Sequence, residues 1–295
     1  ALLMAFTMGA LAQSGALADT FSAAFTLPRW RVGLVTAALA LTILLGGIRR
    51  IADISTVLVP VMALLYLGGG LAVILGNLRR LPEAVTLMLR CAVAPEATLG
   101  GALGIVTRRE ALRWGVARSG FSNEAGLGSA AITAACADTE DPVKQGLISM
   151  TGVFFDTMVI CTVTGLAICC SGTLGTADGA GRPLTGAALT LRAFETVLGP
   201  LAPWLIGVAL GLFAFTSVLG CAVQAETTAS YLLGPGAVRP CRVLYGLAVF
   251  AGAVIPMATV LQLADLANAL MAFPNLVCLL LLSDEIAGEC GRKER

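Results

Sequence analysis

The chain has 295 residues, of which 57% are hydrophobic and only 13% are charged, and its formal net charge is +1. A typical soluble domain is about 25% charged, so this sequence has too few charges to cover a surface in water. The composition therefore indicates a protein whose solvent is lipid, and no basic excess suggests nucleic acid as a partner. The sequence contains no His and no C-x-x-C pair among its 9 Cys, which argues against metal, redox and general-base chemistry.

Long apolar runs recur along the chain, and several approach the roughly 20 residues that a bilayer span requires. The run at 81–106 is weaker than the others, because charged residues, Pro95 and a glycine pair interrupt it. The segment 175–198 is predicted to be an extramembrane loop with a short amphipathic helix. About eight membrane segments are expected, the first of them partial: residues 1–18, 32–48, 54–76, 81–106, 146–172, 200–223, 243–263 and 266–282.

Basic residues concentrate on alternate connections between these runs, which predicts their orientation. By the positive-inside rule those connections face the cytoplasm, although four arginines fall on the opposite side. The stretch 120–146, which is rich in small and polar residues, is then a cytoplasmic connection whose polarity needs no catalytic explanation. The basic residues on the predicted cytoplasmic side are Arg49, Arg50, Arg108, Arg109, Arg113, Arg118, Lys144, Arg239, Arg242, Arg292, Lys293 and Arg295.

An interrupted helix is one interpretation of the sequence "PEATLGGALG" at residues 95–104. A proline, an acid and adjacent glycines at membrane depth loosen a helix, and the freed backbone groups must then line a cavity or be buried in protein. Secondary transporters use such breaks to present carbonyls and helix ends to their substrate and ion. The alternative is an intact helix whose glycines allow a neighbouring helix to pack closely.

Two further features exceed what a simple membrane span requires. In "FAFTSVLG", Thr216 and Ser217 follow Phe213 by three and four residues, so their hydroxyls and the Phe213 carbonyl can converge on one helix face. Hard cations prefer such oxygen ligands, but hydroxyls in membrane helices often bond back to their own carbonyls. Asp156 interrupts another apolar run, and ion binding and a structural hydrogen bond are both open interpretations of an acid there.

The runs "GVARSGFSNEAGLGSA" and "DPVKQGLISMTGVFFDTMVICTVTGL" closely resemble the bacterial sodium:alanine (amino acid:cation) symporter family. The runs "LGGIRRIADISTVLVPVMALLY" and "LANALMAFPNLVCLLLL" are similar to other characteristic parts of that family, and the resemblance extends over essentially the whole chain. It implies an all-α membrane protein, a LeuT-type inverted-repeat transporter bundle. The chain is then N-terminally truncated, lacks the first two core helices, and contains the third to the tenth.

The resemblance also implies a division of the chain and a set of site residues. Residues 1–80 correspond to the remainder of the first inverted repeat, 81–283 to the second repeat and 284–295 to a cytoplasmic tail. A sodium ion (Na+) is expected at Phe213, Thr216 and Ser217, which fall on the eighth core helix. The expected substrate-binding residues are Gln13 on the third core helix and Thr98, Gly100 and Gly101 at the break of the sixth.

The function implied is sodium-coupled symport of a small neutral amino acid, alanine or glycine, across the bacterial inner membrane by alternating access, and not enzymatic catalysis. The sequence departs from the family pattern at the break, where Ala102 replaces the usual aromatic residue, so the size of the pocket is left open. The alternative is a non-transporting remnant or scaffold protein that packs helices in the lipid bilayer without coupled uptake.

Overall fold

The computed structural model describes residues 1–93, 108–124, 126–177, 179, 181 and 183–293. Within these residues the regular structure is helical, and the β pairing is a single isolated bridge between Ala177 and Pro183. The expected all-α architecture is confirmed. The predicted helix break at 95–104 lies outside the described residues.

The first half of the described chain forms seven helices, numbered here in chain order. Helix α1 comprises Leu2–Met4, Ala5–Ala12 and Gln13–Phe25, and helix α7 comprises Pro142–Phe154, Phe155–Cys161 and Thr162–Ser171. The middle segment of each of these two helices is π-helical. The five helices between them are α2 (Arg29–Leu44), α3 (Gly47–Gly76), α4 (Leu81–Val93), α5 (Arg108–Asn123) and α6 (Ser129–Ala134).

The second half forms five helices, two of which are joined by a single 3-10 turn. Helix α8 runs directly through that turn, Gly199–Leu201, into α9. An amphipathic helix is present within 175–198, as predicted, while its extramembrane location stays a prediction. It buries Leu191 and Phe194 and leaves its charged residues outside the core. The five helices are α8 (Gly186–Leu198), α9 (Ala202–Leu233), α10 (Val238–Val254), α11 (Met257–Leu281) and α12 (Ser283–Lys293).

Five helical stretches of the described chain are long and apolar enough to cross a membrane. They are Gly47–Gly76, Pro142–Ser171, Gly186–Leu233, Pro235–Val254 and Met257–Leu281. Large apolar side chains on these helices face outward, such as Phe273, which is 74% exposed. A multi-pass membrane protein is the consistent interpretation, because water would not tolerate so much exposed apolar surface. The number of eight spans and the LeuT-type topology stay predictions.

Helices α1 and α9 lie side by side at the centre of the bundle. Helices α2, α10 and α11 pack around α1, while α3, α8 and α10 pack around α9. Two apolar clusters hold this arrangement together, one containing Leu219 and Tyr245 and the other Tyr66, Phe194 and Ile206. Because α9 has neighbours on several sides, polar residues in its middle, such as Thr216 and Gln224, are buried.

Three ion pairs in the described part of the chain join different helices of the bundle. Glu226 on α9 and Arg242 on α10 form a two-pronged pair, with both N–O distances at 2.8 Å and both side chains largely buried. Arg118 on α5 pairs with Asp265 on α11 and also lies over the rings of Trp114 and Phe121, at 5.6 and 5.2 Å from their centroids. A third pair, between Asp19 and Arg29 at 3.1 Å, links α1 to α2.

Candidate functional site

Three oxygen atoms meet on one face of the central helix α9. The hydroxyls of Thr216 and Ser217 each donate to the carbonyl oxygen of Phe213 at 3.0 Å, and Thr216 also lies 3.0 Å from the carbonyl of Leu212. The spacing of three and four residues on a helix produces this convergence, as the sequence predicts. The three groups offer only oxygen, the ligand type that a hard cation such as sodium prefers.

The surroundings of Thr216 are apolar, and Ser217 beside it is half-buried. Thr216 is only 9% exposed, and its hydroxyl faces the sulfur of Met62 on α3 at 3.7 Å. The ring of Phe213 packs against Tyr66 of the same helix α3, with centroids 5.8 Å apart. In the structure the hydroxyls bond to carbonyls of their own helix, which is the back-bonding named as the alternative to ion binding in the sequence analysis.

Of the four predicted substrate-binding residues, the structure describes one. Gln13 is half-buried on α1, and it begins the regular helix directly after the π-helical segment Ala5–Ala12. Since α1 packs along α9, Gln13 belongs to the same central pair of helices as the hydroxyl pair. Thr98, Gly100 and Gly101 lie outside the described residues.

The loop that follows α5 is held by hydrogen bonds that the sequence does not predict. Glu124 adopts a left-handed conformation with φ of 51°, which is uncommon for a residue with a side chain, and its carboxylate accepts a hydrogen bond from the buried hydroxyl of Ser129. The side-chain amide of Asn275 on α11 donates to the carbonyl of Gly126 at 2.9 Å. Gly128 has a φ of 89°, a left-handed conformation that favours glycine, and an added Cβ atom would lie 2.7 Å from the Asn275 side-chain oxygen.

Two polar pairs connect the end of α5 to the π-helical segment of α7. Ser122 donates a hydrogen bond to the carboxylate of Asp156 at 2.8 Å, and Thr157 donates to the side-chain oxygen of Asn123 at 2.8 Å. Asp156 therefore makes the structural hydrogen bond that was one of its two predicted roles. Both hydrogen bonds join a residue of the motif "SNEAG" to a residue of the motif "FFDT", and the presence of these two motifs is the feature of the sequence that could have indicated the contact.

Comparison with known proteins gives a consistent result over the whole chain. The family model described as "Sodium:alanine symporter family" matches residues 1–291. An uncharacterized transporter of Haemophilus influenzae is 40% identical over 96% of this chain, and the sodium/alanine symporter AgcS of Methanococcus maripaludis is 37% identical over 97% of it. The probable sodium/glutamine symporter GlnT of Bacillus subtilis is 37% identical over 92% of the chain.

The chain spans 61% of the length of the first two of these relatives and 55% of the third. The range matched by the family model includes the motifs "GVARSGFSNEAGLGSA" and "DPVKQGLISMTGVFFDTMVICTVTGL". The family is one of symporters, in agreement with the expectation that the chain is not an enzyme. The chain belongs to the sodium:alanine symporter family.

Proposed function

We propose that the protein containing this chain is a sodium-coupled symporter of a small neutral amino acid in the bacterial inner membrane. The observation that carries the proposal is the oxygen triad of Phe213, Thr216 and Ser217 on a central helix of a family member. Three convergent oxygens in an apolar setting are the arrangement in which a desolvated sodium ion replaces its water ligands.

The proposed coupling depends on the order in which the two solutes bind. Sodium binds first at the α9 oxygens and orders the interrupted helix, after which the amino acid binds at Gln13, Thr98, Gly100 and Gly101. Backbone groups and an amide side chain can hydrogen-bond to the ammonium and carboxylate groups of an amino acid. Four such residues are enough to bind an amino acid with a small side chain. Alternating access then exposes both solutes to the cytoplasm, with 1–80 and 81–283 as the two repeats that move against each other.

Alanine and glycine are the proposed substrates. The names of two relatives bear on this choice. AgcS is named a sodium/alanine symporter, whereas GlnT is named a probable sodium/glutamine symporter, so two side-chain sizes occur among relatives of equal identity. Ala102 stands where the resemblance leads one to expect an aromatic residue, so the choice between substrates of different size is left to the experiment.

Uptake of radiolabelled amino acids into proteoliposomes made with the whole protein tests the proposal. An inward sodium gradient is expected to drive alanine and glycine uptake well above the rate in an equal potassium gradient, and excess unlabelled alanine is expected to compete. Preferential competition by glutamine would correct the substrate. Equal uptake in sodium and potassium would contradict sodium coupling, and no uptake of any of the three would favour the non-transporting scaffold instead.

A further inference from the structure

An apolar groove with a volume of about 470 Å³ lies between α2 and α9. Residues of these two helices form most of its lining, and Leu17 and Phe21 of α1 also contribute to it. On α2 the lining residues include Arg31, Val35 and Leu39, which are spaced four residues apart and therefore share one helix face. The groove thus follows α2 for about 12 Å, at a rise of about 1.5 Å per residue.

The lining of this groove suits hydrocarbon and not a polar ligand. Among the described lining residues other than Arg31, only Thr36 has a polar side chain, and its hydroxyl already donates to the carbonyl of Val32 at 2.8 Å. Val35 and Leu39 are 58% and 51% exposed, so the groove opens on the outside of the bundle. Since α2 contains most of the predicted membrane segment 32–48, the surroundings there are the acyl chains of the bilayer.

One end of the groove carries a positive charge that the protein leaves unbalanced. Arg31 lies in the first turn of α2, and its guanidinium is 5.3 Å from the ring centroid of the exposed Trp30. Its neighbour Arg29 pairs with Asp19 at 3.1 Å, whereas Arg31 forms no ion pair with any carboxylate of the described residues. A tryptophan beside an arginine at the end of an apolar segment is typical of the interface between membrane and water.

The length and the charge of the groove together match one class of membrane component. The hydrocarbon of a single leaflet is about 15 Å deep, half of the roughly 30 Å of a bilayer core, and the groove extends over most of that depth. An acyl chain lying along Val35 and Leu39 would place its phosphate at the interface, beside Arg31. Guanidinium groups bind phosphate oxygens well, because their paired N–H groups fit two oxygens at once.

We propose that this groove binds one anionic phospholipid, with an acyl chain between α2 and α9 and the phosphate at Arg31. The bound lipid would hold α2 against α9. It also gives a role to an arginine that lies on the predicted non-cytoplasmic side, where the positive-inside rule does not expect one. The site shares no residue with the oxygen triad on α9 and does not depend on the proposed transport function.

Native mass spectrometry of the whole protein tests the site, because it counts bound lipids of different mass. The protein is purified in a neutral detergent and mixed with equal amounts of phosphatidylglycerol, which is anionic, and phosphatidylcholine, which is zwitterionic, both with the same acyl chains. One phosphatidylglycerol is expected to be retained with about fivefold preference, the effect of one basic residue near a membrane surface. Inorganic phosphate at the lipid concentration is expected not to displace it, because phosphate lacks the acyl chain.

Arg31→Gln is expected to reduce this preference to near equality, because it removes the charge and keeps a side chain of similar polarity. The matched control is Arg79→Gln, which removes another exposed arginine from the predicted non-cytoplasmic side, at a residue that does not line the groove. This control is expected to retain the wild-type preference.

Val35→Phe tests the acyl-chain part of the site, because the larger side chain would occupy the groove. It is expected to lower retention of both lipids several-fold while leaving the fold intact, since Val35 is largely exposed. The matched control is Leu34→Phe, which enlarges the neighbouring exposed residue outside the groove lining and is expected to leave retention unchanged.

Four outcomes would overturn the lipid site. They are equal retention of the two lipids by the wild-type protein, an unchanged preference in Arg31→Gln, an equal loss of preference in Arg79→Gln, and displacement of the lipid by inorganic phosphate. The last would assign Arg31 to a free anion. A protein dimer that Val35→Phe dissociates, with lipid retention unaffected, would assign the groove to a second copy of the chain and would also overturn the proposal.

Discussion

Replacing both Thr216 and Ser217 with alanine is expected to abolish sodium-dependent uptake while leaving the bundle folded. The change removes two of the three oxygens that converge on α9. Each contact to a charged partner contributes about 1.5–3 kcal/mol, so the loss of two is expected to weaken apparent sodium affinity about 100-fold or more. The helix itself should persist, because its backbone hydrogen bonds do not require the hydroxyls and alanine is the best helix former.

The measurement is the initial rate of amino-acid uptake as a function of external sodium in proteoliposomes. A matched control on the same helix is Thr227→Ala with Ser230→Ala, which also removes one threonine and one serine hydroxyl but lies outside the triad. This control is expected to retain the wild-type sodium dependence. An unchanged sodium dependence in the Thr216→Ala, Ser217→Ala variant would show that the α9 hydroxyls only bond to their own helix.

Gly252→Ala is expected to destabilise the bundle strongly, because α10 touches the backbone of α1 at that point. A Cβ atom at Gly252 would collide with the carbonyl oxygen and Cα of Leu11 and with the hydroxyl of Ser14. Backbone atoms cannot rotate away as a flexible side chain can, so the two helices must separate. Overpacking of this kind costs roughly 1–3 kcal/mol and sometimes more, which is a large part of the stability of most proteins.

The thermal unfolding midpoint of the purified protein in detergent measures this effect. Gly220→Ala on α9 is the control, because an added Cβ there would meet nothing within 4 Å. In a helix interior that replacement is expected to be neutral or to stabilise by about 0.5–1 kcal/mol. A Gly252→Ala protein that unfolds at or above the wild-type midpoint would contradict the close approach of α10 to α1.

The parts of this structure that depend on local sequence were predictable from it. Apolar runs that end at charged residues define the helices, and spacing of three and four residues brings Thr216 and Ser217 to the Phe213 carbonyl. The amphipathic pattern of α8 likewise predicts which of its residues are buried, including Phe194. In each case the determining interactions lie within one or two helical turns.

The contacts that join distant segments could not be predicted in the same way. Arg118 and Asp265 are 147 residues apart, and neither residue type nor local spacing selects one as the partner of the other. The bonds of Ser122 and Asn123 to the α7 segment are also set by how α5 and α7 pack. The motif resemblance identifies these residues as a group, but only the coordinates show what they touch.

Sodium entry is expected to drive amino-acid accumulation, and the response to membrane potential tests this most directly. In proteoliposomes with equal sodium on both sides, an imposed inside-negative potential of about 100 mV supplies about 2.3 kcal/mol for each sodium charge that enters. Alanine is then predicted to accumulate several tens-fold when one sodium ion accompanies each molecule. If alanine only equilibrates at that potential, or accumulates equally when choline replaces sodium, coupled symport is contradicted.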